Sequence, residues 1–551
     1  MSLRRMNMDQ QKTKKKQLMK AGLLSLVVIM LLSLFTGCTS NNNTSSSTEG
    51  STNGEAAGDN ETGDTSGDSS EPLKFSYSRP TWGPATYTKG GAYEKELFKQ
   101  GNVDIDVRII PVVDYDATIK TTAAGGNMPD VIWGWGPVDA FWKDLQDQGA
   151  FLKINEYLDQ YPAIKDAVPA GIWDKMADDK GDIYFIPNLI YPVVPFFINY
   201  RADIFEELGI AEPTSIAELQ SALEKIKASG KDIVPMTMGN TVPFWAGKDL
   251  ATAFGSGSGW APSKDDPNKI VPPEMQEEHL NYKFWLQDMK KKGLFDEEAG
   301  VNPDASFGET KFKAGRAAVI LGGNLQSLYP ELKKSVPTAD IKTLSPLTGL
   351  NGEKGGTRVV FPQDRGFYVN VKFKDKADQF FKFLNWSLTD GTELRRYGIE
   401  GKMFTVNPEG KKVPIPDDER ENDYKGAQIE PLKFIDPMSE KLDWEAQELN
   451  FIGAGIQDKF EYYKGMFEKY AANAYNDYKD PTVTSPTQAE IGPQIWEDYM
   501  AKVDGSILTD MNLTKDAYKA AYQKYLDAGG QKIIDEINEL QKNKSEPNYV
   551  D

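Results

Sequence analysis

A single cysteine divides this chain and sets the terms on which the rest can fold. Cys38 is the only cysteine in 551 residues, and it follows directly on an apolar run from Ala21 to Phe35. Arg4, Arg5, Lys12, Lys14, Lys15, Lys16 and Lys20 precede that run. Its 15 residues fall short of the ~20 that cross a bilayer as a helix, so basic flank and apolar core together read as an export signal. From Thr39 to Glu71 the chain is Ser, Thr, Asn, Gly, Asp and Glu with almost nothing to bury, which predicts a flexible tether. What folds therefore starts at Pro72, and with one thiol in the chain no internal disulfide can hold it. Packing must supply the stability. The remaining stretch of about 480 residues exceeds the ~250–300 that one core usually serves, so two or more domains are expected.

The stretch Leu34-Phe35-Thr36-Gly37-Cys38 resembles a bacterial lipoprotein lipobox, with Phe35 standing where Leu is usual. That resemblance implies removal of residues 1–37, acylation of Cys38 (palmitate-like chains) and a protein anchored on the extracellular face of the cell membrane. Each buried methylene adds ~0.8 kcal/mol, so two or more chains hold stably. The long tether suits a Gram-positive surface.

Charge and histidine count narrow the chemistry. The formal net charge is -19, and loss of residues 1–37, with seven Lys/Arg and one Asp, brings it to -25. Such a body repels nucleic acid, whose binding needs clustered cations, and disfavours acidic polymers unless the site is locally basic. His279 is the only histidine, in Glu277-Glu278-His279-Leu280 on what reads as a charged helix, and a surface position is expected for it. A Ser-His-Asp or Cys-His centre has no other histidine to use, and zinc sites rich in His and Cys are excluded. Catalysis by two carboxylates stays open.

The body opens with a regular alternation. Leu73–Ser78 and Val103–Ile110 alternate as strands, Val131–Trp133 reads as a short buried strand, and Gly90–Gln100, Tyr115–Ala124 and Val138–Gln148 read as helices. That order predicts a parallel sheet covered on both faces, with ligands beyond the carboxyl ends of its strands. Five motifs then follow in sequence: Gly126-Asn127-Met128-Pro129-Asp130-Val131, Gly181-Asp182-Ile183-Tyr184-Phe185-Ile186-Pro187, Phe197-Ile198-Asn199-Tyr200-Arg201-Ala202-Asp203, Phe312-Lys313-Ala314-Gly315-Arg316-Ala317-Ala318-Val319, and the helix Ala377–Thr389. In that order they resemble bacterial extracellular solute-binding proteins of carbohydrate ABC importers, and Tyr518–Leu540 with Gly529-Gly530-Gln531 resembles the large lipoprotein subgroup. The resemblance implies an α/β, two-lobed periplasmic-binding-protein-like fold of type II, its lobes joined by hinge strands and completed by a helical C-terminal part. The expected boundaries are 1–37 signal, 38–71 tether, 72–186 first lobe, 187–344 second lobe, 345–375 return to the first, and 376–551 mostly helical across both.

A sugar offers apolar C–H faces to aromatic planes and hydroxyls to planar polar groups. Loop tryptophans Trp82, Trp133, Trp135, Trp245 and Trp260 are therefore candidate stacking residues, Trp133 standing where maltose binders place one. Trp260 follows Gly255–Gly259, read as a flexible loop able to fold over the cleft. Where relatives carry an aromatic after the strand at Ala317–Leu321, this chain has Gly322-Gly323-Asn324, so Asn324 is expected to hydrogen-bond instead. Asp364 and Arg365 are candidates for polar groups or for pairing with each other, and Asn188 and Tyr191, at the expected hinge, are candidates to touch the ligand or to steer closure. Trp142, Trp173, Trp285, Trp386 and Trp496, on helical patterns, are expected in cores. Ala228-Ser229-Gly230-Lys231-Asp232 has too few oxygen ligands for calcium, and Asp178–Asp182 reads as a solvated turn, so no metal or cofactor is expected. The expectation is a monomeric binding protein that delivers an oligosaccharide to membrane permease subunits. The alternatives are a lipid-anchored glycoside hydrolase, whose carboxylates would stand ~5–9.5 Å apart, and a surface sensor feeding a membrane receptor.

Overall fold

The computed structural model describes residues 71–542 apart from 82–86, 137–138, 179, 240–246, 303–305, 362–364, 427, 438–442 and 481. Cys38, the signal and the tether lie outside the described residues, as do Trp82, Trp245 and Asp364.

In chain order the elements that position the site are β1 (Leu73–Thr81), α1 (Ala92–Gly101), β2 (Val103–Pro111), α2 (Val112–Ala124), β3 (Val131–Gly134), α3 (Ala140–Asp147) and β4 (Phe185–Pro187). There follow β5 (Ile198–Arg201), α4 (Ile216–Ala228), β6 (Val234–Met238), α5 (Lys248–Thr252), α6 (Glu277–Lys291), β7 (Ala317–Leu321), α7 (Leu325–Ser335) and β8 (Ile341–Thr343). The chain then makes β9 (Thr357–Arg358), β10 (Gly366–Val369), α8 (Ala377–Leu388), α9 (Phe460–Ala471) and β11 (Ala474–Tyr475).

Two sheets result. The first has the order β2-β1-β3-β10-β4 and the second β8-β5-β7-β6. In the first, β1 runs parallel to β2, Leu73 facing Val103, and to β3, Tyr77 facing Val131. The expected all-parallel sheet holds for these three strands only, because β10 is antiparallel to both β3 and β4. The reason is connectivity: β10 is supplied by the chain returning from the second sheet, so it enters from the opposite end and needs no crossover helix.

Each sheet has its own core. The first gathers Phe75, Tyr77, Ile105, Trp142 and Tyr368, and extends through α8 to Phe434 and Ile435. The second gathers Ile198, Leu223, Met236, Leu286 and Val319 with Tyr518, Tyr522, Ile533 and Ile537 from the C-terminal helices. The chain crosses between the sheets from β4 to β5 and returns from β8 to β10. At the crossing Val193 bridges Val359, the Val360 amide donates to the Pro192 carbonyl at 2.8 Å, and β9 pairs with β11. Gly356 sits where a Cβ would stand 1.8 Å from the Asn473 carbonyl oxygen, so no side chain is admitted there.

Trp142 is fully buried, its ring stacked on Tyr368 at 5.3 Å with planes 3° apart. Trp173 is buried too, while Trp285, Trp386 and Trp496 pack half-buried against the cores. The Tyr368 hydroxyl is buried with no hydrogen-bond partner among the described residues. Removing an unsatisfied buried group is neutral or favourable, whereas deleting a buried indole leaves a cavity worth about 3–5 kcal/mol. Chemical denaturation should therefore show Tyr368→Phe as stable as the parent or more so, and Trp142→Ala destabilised by about that amount.

Candidate functional site

The carboxyl ends of β1 and β3 meet at Tyr115, the fourth residue of α2. Its hydroxyl donates to the Trp133 carbonyl at 2.8 Å and lies 3.2 Å from the Ser78 carbonyl. Burial pushes that phenol well above its ordinary pKa, so it stays protonated and remains a donor. This bond sets the height of the β3 end, where the tryptophans stand. Trp133 packs edge-on against Tyr115 at 5.8 Å and against Trp135 at 4.6 Å.

The two indoles differ in role. Trp133 is 3% exposed and sits behind its neighbour, so the expectation that it lines a cleft wall is not met by an open ring face. Trp135 is half-buried, and its indole Nε1–H donates to Asp116 Oδ1 at 3.3 Å. One indole is thus braced from behind by a buried indole and held at its edge by a carboxylate. Arg79, buried at the end of β1, donates its guanidinium to the Glu430 carbonyl and to Glu430 Oε1 at 3.1 Å. That contact lays the segment around Glu430 beside the same strand ends.

The hinge candidates come together. The Asn188 amide donates to the Arg365 carbonyl at 2.9 Å, tying the outgoing and returning chains, and Tyr191 packs beside Phe467 of α9 at 6.3 Å. Asn324 is exposed at the start of α7, where its side chain makes no capping bond. Its loop is held by Asn199, whose side-chain amide donates to the Gly323 carbonyl at 3.0 Å.

Trp260 sits apart from the tryptophan pair, packed on the second core, its backbone amide donating to Asp477 Oδ1 at 3.0 Å. The Gly255–Gly259 stretch before it is not a free flap. Ser256 is buried, and Cβ atoms at Gly257 and Gly259 would meet Tyr475 at 2.9 Å and Asp477 at 2.6 Å. The glycines serve close approach to β11 and the residues after it. The expected surface position of His279 is likewise corrected. The ring is 4% exposed, 3.3 Å from the Ser256 hydroxyl, and burial holds its pKa well below the usual value. Leu280, Lys283, Leu286 and Gln287 share its buried side of α6, leaving the charges of Glu277 and Glu278 outside.

Two further residues belong to the mechanism of the fold and carried no local signal. Lys248 and Asp249 open α5 and are both buried. The Asp249 carboxylate accepts from the Phe196 amide and from the Thr357 hydroxyl at 2.8 Å, gripping both crossing chains, and the Lys248 ammonium lies 4.4 Å over the Phe196 ring. Among the described residues no group of three or more His, Cys, Asp or Glu is placed to hold a metal. Asp178 Oδ1 is engaged by the amides of Lys180 and Asp182 in its own turn.

Residues 84–393, more than half of the chain, match the family described as bacterial extracellular solute-binding proteins. The chain belongs to that family. It is 20% identical over 462 residues to the polygalacturonan/rhamnogalacturonan-binding protein YtcQ of Bacillus subtilis, covering 81% of this chain and 87% of that one. Its fold is similar to that of the alginate-binding protein AlgQ2 solved without calcium ion, with TM-score 0.66, 19% identity and coverage of 85% and 98%. It is also similar to the ABC-transporter substrate-binding protein FusA of S. pneumoniae in complex with kestose, with TM-score 0.62, 16% identity and coverage of 86% and 100%. The protein is a solute binder that works outside the cytoplasm, and the two-carboxylate hydrolase is set aside on that ground.

The Asp249 carboxyl is pushed up to about 6 by burial, against the lowering influence of Lys248. A carboxyl whose folded pKa lies above its unfolded value contributes stability at pH below the unfolded value and loses it as pH climbs through the folded one. The stability of the parent relative to Asp249→Asn should therefore decline between pH of about 4 and about 6 and then level off, read by urea denaturation at each pH. A difference that stays flat across that window refutes the burial of an ionisable clamp.

Proposed function

We propose that this protein captures an oligosaccharide between its two lobes and hands it to the permease of an ABC importer, making and breaking no bond. The observation that carries the reading is Trp135. Its half-buried indole stands at the carboxyl end of β3, backed by Trp133 and held by Asp116. A pre-set aromatic plane loses little entropy on stacking against a sugar face. The saccharide ligands named for YtcQ, AlgQ2 and FusA support the same class.

Trp82, Trp245 and Asp364, which lie outside the described residues, are proposed as further sugar contacts, with Asn324 and Arg365 as polar partners and Trp260 as a contact from the second lobe. Asn188 and Tyr191 steer closure. A sugar bridging both lobes selects the closed state, because only that state makes both sets of contacts. Acyl chains on Cys38 hold the protein on the outer face of the membrane through the 38–71 tether, within reach of the permease, as a monomer.

Titration calorimetry against neutral and uronic-acid oligosaccharides tests the sugar class, and tight binding of a peptide or an ion with no response to any sugar would defeat it. Trp135→Ala should weaken the binding sugar by about tenfold with the fold unchanged. Fractionation of cells carrying Cys38→Ser should move the protein from the membrane to the medium; retention on the membrane would sink the lipid anchor.

A further inference from the structure

A cavity of 270 Å³ opens in the second lobe away from the tryptophan pair, lined by Phe254, Asn281, Trp285, Leu350, Asn351 and Glu353. The Phe254 and Trp285 rings stand 5.8 Å apart with planes at 55°, so two apolar faces meet at an angle along one wall. Trp285 is half-buried, and Leu350, 62% exposed, stands at the mouth.

The polar side of the cavity is already oriented. Glu353 Oε2 accepts the Asn351 backbone amide at 2.9 Å, and Oε1 accepts the Asn351 side-chain amide at 2.9 Å. Though partly buried, the Glu353 carboxyl is held below its ordinary pKa by these bonds and stays an acceptor. Asn281 accepts the Lys515 ammonium on its Oδ1, which leaves its Nδ2 hydrogens to donate. The cavity thus offers an indole face, a fixed acceptor and a fixed donor.

We propose that this cavity is a second carbohydrate site, taking a single neutral pyranose ring outside the interlobe cleft. The ring's C–H face would lie on Trp285, with the buried Phe254 behind it, one hydroxyl donating to Glu353 and another accepting from Asn281. The choice of sugar rests on the sugar reading of the cleft as well as on this lining. A volume below the roughly 300–1,000 Å³ of drug-sized sites fits one ring rather than a chain. An aromatic wall with a carboxylate also suits an organic cation, but the Lys515 ammonium bonded to Asn281 sets a like charge at the rim. A sugar polymer gripped in the cleft and touched again here would be retained by effective concentration even if the second contact is weak.

The test is fluorine NMR of the full chain carrying 5-fluorotryptophan at its 11 tryptophan positions, with Trp285 and Trp135 assigned by Trp→Phe variants. The probes are the methyl glycosides of glucose, galactose and mannose, and choline. The Trp285 resonance should shift saturably with at least one glycoside and not with choline. Asn281→Ala and Glu353→Gln should each raise the midpoint by about tenfold, with the other tryptophan resonances unmoved as proof of folding. A Trp285 resonance that ignores every glycoside, answers choline alone, or keeps its midpoint in both variants overturns the proposal. A shift at Trp135 without one at Trp285 rejects this site and leaves the cleft reading standing, and a shift at Trp285 alone does the reverse.

Discussion

The fold of this protein depends on one buried carboxylate. Asp249 accepts a bond from Phe196 in the chain leaving the first sheet and from Thr357 in the chain coming back. Three residues on, the Thr252 hydroxyl receives the Gly356 amide at 2.8 Å. The five-residue helix α5 therefore holds both segments that join the lobes, and the Asp249 charge is countered by Lys248 beside it. A buried ion costs several kcal/mol to desolvate, so such a pair stays only where the bonds around it are complete. The clamp fixes the two crossing segments to each other. α9 adds to the same anchor: its Tyr462 hydroxyl donates to the Thr343 carbonyl at 2.7 Å, and that of Tyr470 to the Leu344 carbonyl at 3.1 Å.

The candidate sugar platform is built on the same economy of fixed polar contacts. Tyr115 levels the ends of β1 and β3, Trp133 fills the space behind, and Asp116 holds the edge of the half-buried indole of Trp135. The aromatic surface is thereby set before a ligand arrives. The chain's acidity disfavours acidic polymers at the surface at large, so recognition of any such ligand must be local.

Much of the first lobe was legible because its signals are local. Period-two alternation in Leu73–Ser78 and Val103–Ile110, and helices ended by Gly125 and Gly149, gave elements whose ends lie within a few residues of those found. The candidate site was legible as a set of residue types at strand ends, but not as an arrangement. Nothing near Trp133 and Trp135 says which ring is covered, since that is decided by Tyr115 and by the backing of one indole on the other. Asp116 meets Trp135 from 19 residues away, and Asp249 meets Phe196 and Thr357 from 53 and 108. His279 shows the same limit: a charged neighbourhood in sequence suggested surface, yet its side of α6 faces the core.

The sequence by itself determined the local elements, the absence of any internal disulfide, the poverty of histidine chemistry and, through motif order, the family. Those follow from periodicity, composition and short-range turn chemistry, which act between neighbours in the chain. Only the tertiary structure decided that β10 runs antiparallel within the first sheet, that the Gly255–Gly259 stretch packs on β11, which tryptophan presents a face, and that Asp249 clamps the hinge. Each of these depends on which distant segments share a buried space, and burial is a property of the assembled core, not of the residues taken one after another.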